Sequence, residues 1–249
     1  ERDERLARLD WSKDERLEVV KAIYKTGVRI PSICFSGHRR YPLGSNDPVI
    51  EEKSLELMKK CIELAQDLGV RTIQLAGYDV YYEEKSPQTR QRFIKNLRKA
   101  CDWAEEAQVV LAIEIMDDPF INSIEKYLAV EKEIDSPYLF VYPDIGNVSA
   151  WHNDVYSEFY LGHHAIAALH LKDTYAVTES SKGQFRDVTF GQGCVKWEEA
   201  FDILKQTNYN GPFLIEMWSE NCETVEETRA VIQEAQAFLY PLIKKAGLM

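Results

Sequence analysis

Four side chains with electron pairs to donate, Glu114, Asp144, His170 and Glu216, each close a short run of aliphatic and β-branched residues. The runs read VVLAIEIMDD from 109, YLFVYPDIGN from 138, AIAALHLKDT from 165 and GPFLIEMWSE from 211. In each, an ionisable group interrupts sequence that otherwise favours burial, and an uncompensated buried carboxylate is strongly unfavourable. Three carboxylates and one imidazole make a set of hard oxygen donors plus one borderline nitrogen, suited to one divalent cation (Mn2+, Mg2+, Co2+ or Zn2+) rather than a thiophilic metal. The bland alternative is a rim network of ion pairs using the nearby Lys172. One lysine cannot neutralise three carboxylates, whereas a dication leaves the cluster only slightly negative.

Those four runs, with VRIPSICFS from 28 and VRTIQLAG from 70, are six expected strands, each followed by a helical stretch. DPVIEEKSLELMKKCIELAQDLG opens on Asp47 and Pro48 and stops at Gly69; TRQRFIKNLRKACDWAEEAQ and TVEETRAVIQEAQAFLYPLIKKAG have the same amphipathic character. Strand–helix alternation without a Pro/Gly/Ser-rich linker predicts one α/β domain over residues 1–249, a (β/α)8 TIM barrel. Such a barrel places strand-end residues together at its carboxyl-terminal rim. Eight units are needed and six are visible, beginning with a helix near Trp11 to Gly27, so the first one or two βα units are expected to be missing from this chain. An open doubly wound sheet is the fallback, disfavoured because no GxGxxG follows the first strand.

The charge of −11 opposes nucleic acid and anionic lipid as partners and points to a small ligand whose phosphate, if any, needs a local basic cluster. His38, Arg39 and Arg40 in GHRRYPLGS supply one; an exposed charged loop is the plain alternative. FGQGCVKW, residues 190 to 197, is a second candidate, its backbone N–H groups turned to an anion. Tyr78, Tyr81 and Tyr82 are either a lid or ordinary packing. His163 and His164 read as structural; His152, in a loop after Asp144, reads first as an ordinary loop residue, with reach to the pocket mouth as the alternative. Five scattered cysteines without a CxxC pair argue against a disulfide framework or thiolate zinc site. No apolar run is long enough to span a membrane and no signal peptide is visible, so a cytoplasmic protein is expected.

In this order, SGHRRYPLGS, IQLAGYDVYY, AIEIMD, YPDIGNVSAW, HLKDT, FGQG and LIEMWSE resemble the L-ribulose-5-phosphate 3-epimerases (L-xylulose-5-phosphate 3-epimerases) of ascorbate and pentose breakdown, over nearly the whole chain. Those enzymes are xylose isomerase-like TIM barrels. The resemblance implies that Glu114, Asp144, His170 and Glu216 ligate one metal ion. It also implies interconversion of L-xylulose 5-phosphate and L-ribulose 5-phosphate through a cis-enediolate, with Glu114 and Glu216 as acid/base groups on opposite faces of the sugar. Free-sugar 3-epimerases carry histidine three residues after the metal aspartate; here Asn147 stands there, which fits the phosphopentose branch. Arg186 is the counterpart of their substrate arginine, beyond a lengthened loop, TYAVTESSKGQF. Pairing as a homodimer is expected by analogy. Three other activities stay open at this point: an aldose–ketose isomerase of the same fold, a non-catalytic sugar-phosphate binding protein, and a metal-dependent phosphodiesterase on abasic DNA, which the histidine count and charge disfavour.

Overall fold

The structure is a computed structural model that describes residues 2–249. Its helices are α1 (Asp3–Leu6), α2 (Lys13–Thr26), α3 (Pro48–Leu68), α4 (Pro87–Ala107), α5 (Ile124–Ile134), α6 (Ile145–Ala150), α7 (Val155–Gly162), α8 (Trp197–Gln206) and α9 (Val225–Ala246). The strands are β1 (Ile33–Phe35), β2 (Thr72–Ala76), β3 (Val110–Glu114), β4 (Leu139–Tyr142), β5 (Leu169–Leu171) and β6 (Phe213–Ile215). All six expected strands form among the described residues. Helices follow them in the alternating order of an α/β chain.

Helix boundaries follow local chemistry. Asp47 caps α3 by accepting from the Val49 N–H, Pro48 occupies the first turn, and Gly69 ends the helix at φ 69°. Ser12, Ser86 and Thr224 each form a capping box, with Glu15, Thr89 and Glu227 respectively. The first strand is shorter than the run VRIPSICFS implies. It begins only at Ile33, and Val28 is exposed. Pro31 has no N–H to give a sheet and restricts the residue before it, so pairing starts beyond it.

The chain packs as two compact units. The first comprises the segment up to Glu114 together with Tyr127–Phe140. There β1, β2 and β3 pair in parallel, with Ile33 opposite Ile73 and Ala76 opposite Glu114. α3 and α4 cover this sheet with Leu57, Met58, Cys61, Phe93, Leu97 and Ala100, all buried. Each large apolar side chain so buried contributes about 1.5–3 kcal/mol.

The second unit comprises Ile115–Lys126 and Val141–Met249. In it β5 and β6 pair in parallel, His170 opposite Leu214, and isolated bridges join Val141 to Ile166 and Asp144 to His170. Its core is aromatic: the Trp197 ring stacks on Phe201 at 5.9 Å and meets Phe238 edge-on at 6.1 Å. None of the described cysteines is in a disulfide, and no described helix is long and apolar enough to cross a membrane.

Candidate active site

Asp144 follows β4 directly and is fully buried. Its Oδ1 accepts the Asn147 N–H at 2.8 Å and so caps α6, while its Oδ2 points to His170 and Lys172. Helix cap and candidate ligand are thus two oxygens of one carboxylate. The DIGN turn is tight because the Lys172 backbone passes beside it. A Cβ on Gly146 would lie 2.6 Å from the Lys172 carbonyl oxygen, and glycine is the residue that permits such an approach.

His170 sits in the middle of β5, buried, with its ring edge-on to Tyr142 at 4.8 Å. Its Nδ1 lies 3.8 Å from Asp144 Oδ2 and 3.8 Å from Glu216 Oε2. A cation bonded at roughly 2.1 Å to each donor holds any two of them no more than about 4.2 Å apart, so this buried acid–imidazole cluster fits a metal ion. Lys172 joins the same oxygens, its Nζ 3.2 Å from Asp144 Oδ2 and 2.8 Å from Glu216 Oε2. The rim ion pair weighed as the bland alternative is therefore present, and it shares its atoms with the candidate metal centre. Burial, the largest single influence, pushes the Glu216 carboxyl up, but the adjacent Lys172 and His170 charges together with hydrogen bonds to Asp144 and Lys172 outweigh it and hold the group below its ordinary value.

Glu114 ends β3 and is buried; the Gln74 side-chain amide donates to its Oε2 at 2.6 Å. Gln74 stands two positions before Ala76, Glu114's partner on β2. The run IQLAG gave no sign of it, since a glutamine within an apolar strand reads as a solvent-facing residue. One peptide bond beyond Glu114, the Ile115 N–H donates to the Tyr142 carbonyl, and the Ile115 carbonyl accepts from Asn147 Nδ2 at 2.8 Å. Asn147 is buried, and its Oδ1 has no hydrogen-bond partner among the described residues.

A cavity of about 400 Å³ in the second unit is walled by Lys172, Glu216, Phe190, Trp218 and Phe238, among others. Arg186 is exposed and lays its guanidinium 4.4 Å from the centre of the Trp218 ring, so Arg186 stands beside a cavity wall.

The other basic residues divide. Arg39 donates to the Tyr78 hydroxyl at 3.2 Å and lies over the Tyr81 ring at 4.7 Å. Arg40 is exposed and pairs with Asp3 at 2.7 Å. His38 is buried against Phe35, and burial lowers its pKa from 6.5 to about 4, opposed only by the Ser54 backbone. It is neutral at pH 7 and adds no positive charge to an anion site.

A stability effect follows. Below pH 6.5 the unfolded chain protonates His38 while the native chain does not until about pH 4. Stability present above pH 6.5 is therefore lost as pH falls toward 4, by about 3 kcal/mol. Urea unfolding at several pH values should show this loss, and His38→Leu should flatten it. An unchanged slope in the variant would contradict the assignment.

FGQG serves a different anion from the one expected. The N–H groups of Gly191, Gly193 and Val195 and the Trp197 indole N–H all donate to the buried Asp173 carboxylate, at 2.8, 3.2, 3.4 and 3.4 Å. Thr174 adds its own N–H at 2.9 Å. The donors a phosphate would need are taken by a side chain of this chain. Gly193 has no room for a Cβ, which would fall 2.0 Å from Asp173 Oδ1. His152 bonds the Val177 carbonyl at 2.5 Å, and His163 and His164 are exposed in a short 3-10 turn. Tyr78 is buried, whereas Tyr81 and Tyr82 are exposed.

Residues 1–242 match the family described as xylose isomerase-like TIM barrel. A Haemophilus influenzae protein named putative L-ribulose-5-phosphate 3-epimerase SgbU is 51% identical over the full chain and 86% of its own length. The L-ribulose-5-phosphate 3-epimerase UlaE of Escherichia coli O157:H7 is 49% identical over the full chain and 84% of its own length. A solved structure of an L-ribulose 3-epimerase superposes with a TM-score of 0.74 at 18% identity, covering 92% of this chain and 80% of that one. At that identity the likeness speaks for the fold.

Proposed function

From the premise that this chain belongs to the xylose isomerase-like TIM barrel family and, within it, to the L-ribulose-5-phosphate 3-epimerases, we propose that it interconverts L-xylulose 5-phosphate and L-ribulose 5-phosphate with the help of one divalent cation. That the chain is a carbohydrate epimerase of the isomerase class follows from the membership itself. Substrate, cation and mechanism are the proposal. The observation that carries it is the approach of His170 Nδ1 to Asp144 Oδ2 and to Glu216 Oε2, 3.8 Å in each case, with Glu216 on the wall of a cavity of about 400 Å³.

Glu114, Asp144, His170 and Glu216, the four donors that close the apolar runs, would hold the cation. When bound, it supplies Lewis acidity to the C2 carbonyl of a ketose, which makes the C3 hydrogen removable as a proton. The chain's own residues do the rest. Glu216 takes the proton from C3 on one face or returns it there. Glu114, steadied by Gln74, does the same on the other face. Passage through the planar enediolate with a different base on each side inverts C3.

Asn147 Oδ1, a buried acceptor, takes a hydrogen bond from a substrate hydroxyl. Arg186, beside Trp218, carries the charge that meets the phosphate; Arg39 and Arg40 have stacking and ion-pair partners of their own. The setting is cytoplasmic, where the sugar phosphate of ascorbate breakdown would be met, and the active form is a homodimer.

The test is the reaction in deuterated water with Mn2+ present. Deuterium should enter at C3 of both epimers. Label at C1 instead would establish an aldose–ketose isomerase, and binding of the sugar phosphate without any exchange would establish a non-catalytic binding protein.

A further inference from the structure

Two carboxylate oxygens 3.8 Å from His170 Nδ1, Asp144 Oδ2 and Glu216 Oε2, are the same two that carry the Lys172 ammonium. A cation held by His170 and these acids and an ammonium 2.8 and 3.2 Å from the same atoms repel each other at close range. From this shared pair of atoms we infer that Lys172 is a tethered counter-ion, which competes with the divalent cation for Asp144 and Glu216 and is displaced when the cation binds. The inference rests on the reading of Asp144, His170 and Glu216 as metal ligands.

Lys172 has somewhere to go. Lys172 lines the cavity, and its Nζ is 5.5 Å from the centre of the Trp218 ring, which the Arg186 guanidinium also approaches, at 4.4 Å. An aromatic face is a favourable resting place for an ammonium turned away from its carboxylates. The turn moves the positive charge toward the space in which a phosphorylated substrate would lie. The ammonium exchanges one partner for another.

Removing the ammonium has two opposite consequences. Without a cation, Asp144 and Glu216 face each other without the lysine, and breaking a buried pair by deleting one partner is destabilising. With a cation, the same loss removes the competitor and raises the negative charge of the site. The experiment is calorimetric titration of the full-length chain with Mn2+ after treatment with EDTA, paired with thermal unfolding before and after Mn2+ is added.

In Lys172→Met the Kd for Mn2+ should tighten by about tenfold or more. Tm of the EDTA-treated variant should fall by about 5 °C or more, and Mn2+ should raise Tm further in the variant than in the wild type. Lys172→Gln, which keeps a neutral donor near the same oxygens, carries the same expectation for Mn2+ should the methionine variant precipitate when stripped. Unchanged or weakened Mn2+ binding in both variants, with the wild type binding normally, overturns the competition alone. A wild type that binds no divalent cation overturns the metal reading and this inference with it.

Discussion

Glu216→Gln should lower kcat by about three orders of magnitude while leaving the fold intact, because the amide matches the carboxylate in shape and loses both its charge and its ability to take a proton. General acid–base groups contribute typically 10²–10⁴-fold. The loss should fall on kcat more than on KM, since the group acts on C3 in the transition state rather than in ground-state binding. Two bases on opposite faces predict something sharper than a slow enzyme. In Glu216→Gln, one epimer should still exchange its C3 hydrogen with deuterated water although neither epimer is converted; in Glu114→Gln, the other epimer should do so. If both variants lose exchange of both epimers equally while still binding Mn2+, the glutamates are ligands only. Epimerisation within tenfold of the wild type in either variant would remove that glutamate from the chemistry altogether.

The second large effect concerns stability. Asp173→Ala should destabilise the protein by about 4 kcal/mol, because it strips the acceptor from the backbone of Gly191, Gly193 and Val195 and from the Trp197 indole at once. For a chain of this size that is a fall in Tm of roughly 8–16 °C. Trp197 is anchored in the aromatic core, so the failure should begin in the loop that precedes α8. Limited proteolysis should cut within residues 190–197 in the variant well before the wild type is cut. Asp173→Asn should fall between the two, since it keeps one acceptor oxygen and turns an NH2 toward the remaining donors. A variant as stable and protease-resistant as the wild type would show that these hydrogen bonds contribute little.

The parts of the molecule visible in the sequence are those in which one residue type has one physical use. The strand runs, the Asp47–Pro48 start and Gly69 stop of α3, and the Gly247 end of α9 follow from burial and capping, and the structure has them at those places. Asp144 and His170 stood out because a charge at the end of an apolar run needs a partner. What escaped depends on partners distant along the chain. FGQG and a phosphate loop share a local chemistry of N–H groups, and only folding reveals that Asp173, some twenty residues earlier, fills that nest. His38 was grouped with Arg39 and Arg40 by adjacency. The 3-10 turn over Ser36–Arg39 turns it inward against Phe35 while Arg40 stays exposed. Gln74 was invisible because alternation says which way a side chain faces and nothing about what meets it. For β1, the apolar run is longer than the strand because Pro31 has no N–H for a sheet and restricts the residue before it.

Asp144 fastens α6 with one oxygen and offers the other to the site. Its rotamer is fixed when the helix forms, so the entropy lost in ordering this donor belongs to folding and is absent from the binding equilibrium. An incoming ion meets at least one arm already in position, and its departure leaves that arm in place. The same arrangement narrows what mutation can do at this position: a longer acid can keep the helix start or the inward oxygen, but the added methylene denies it the geometry for both.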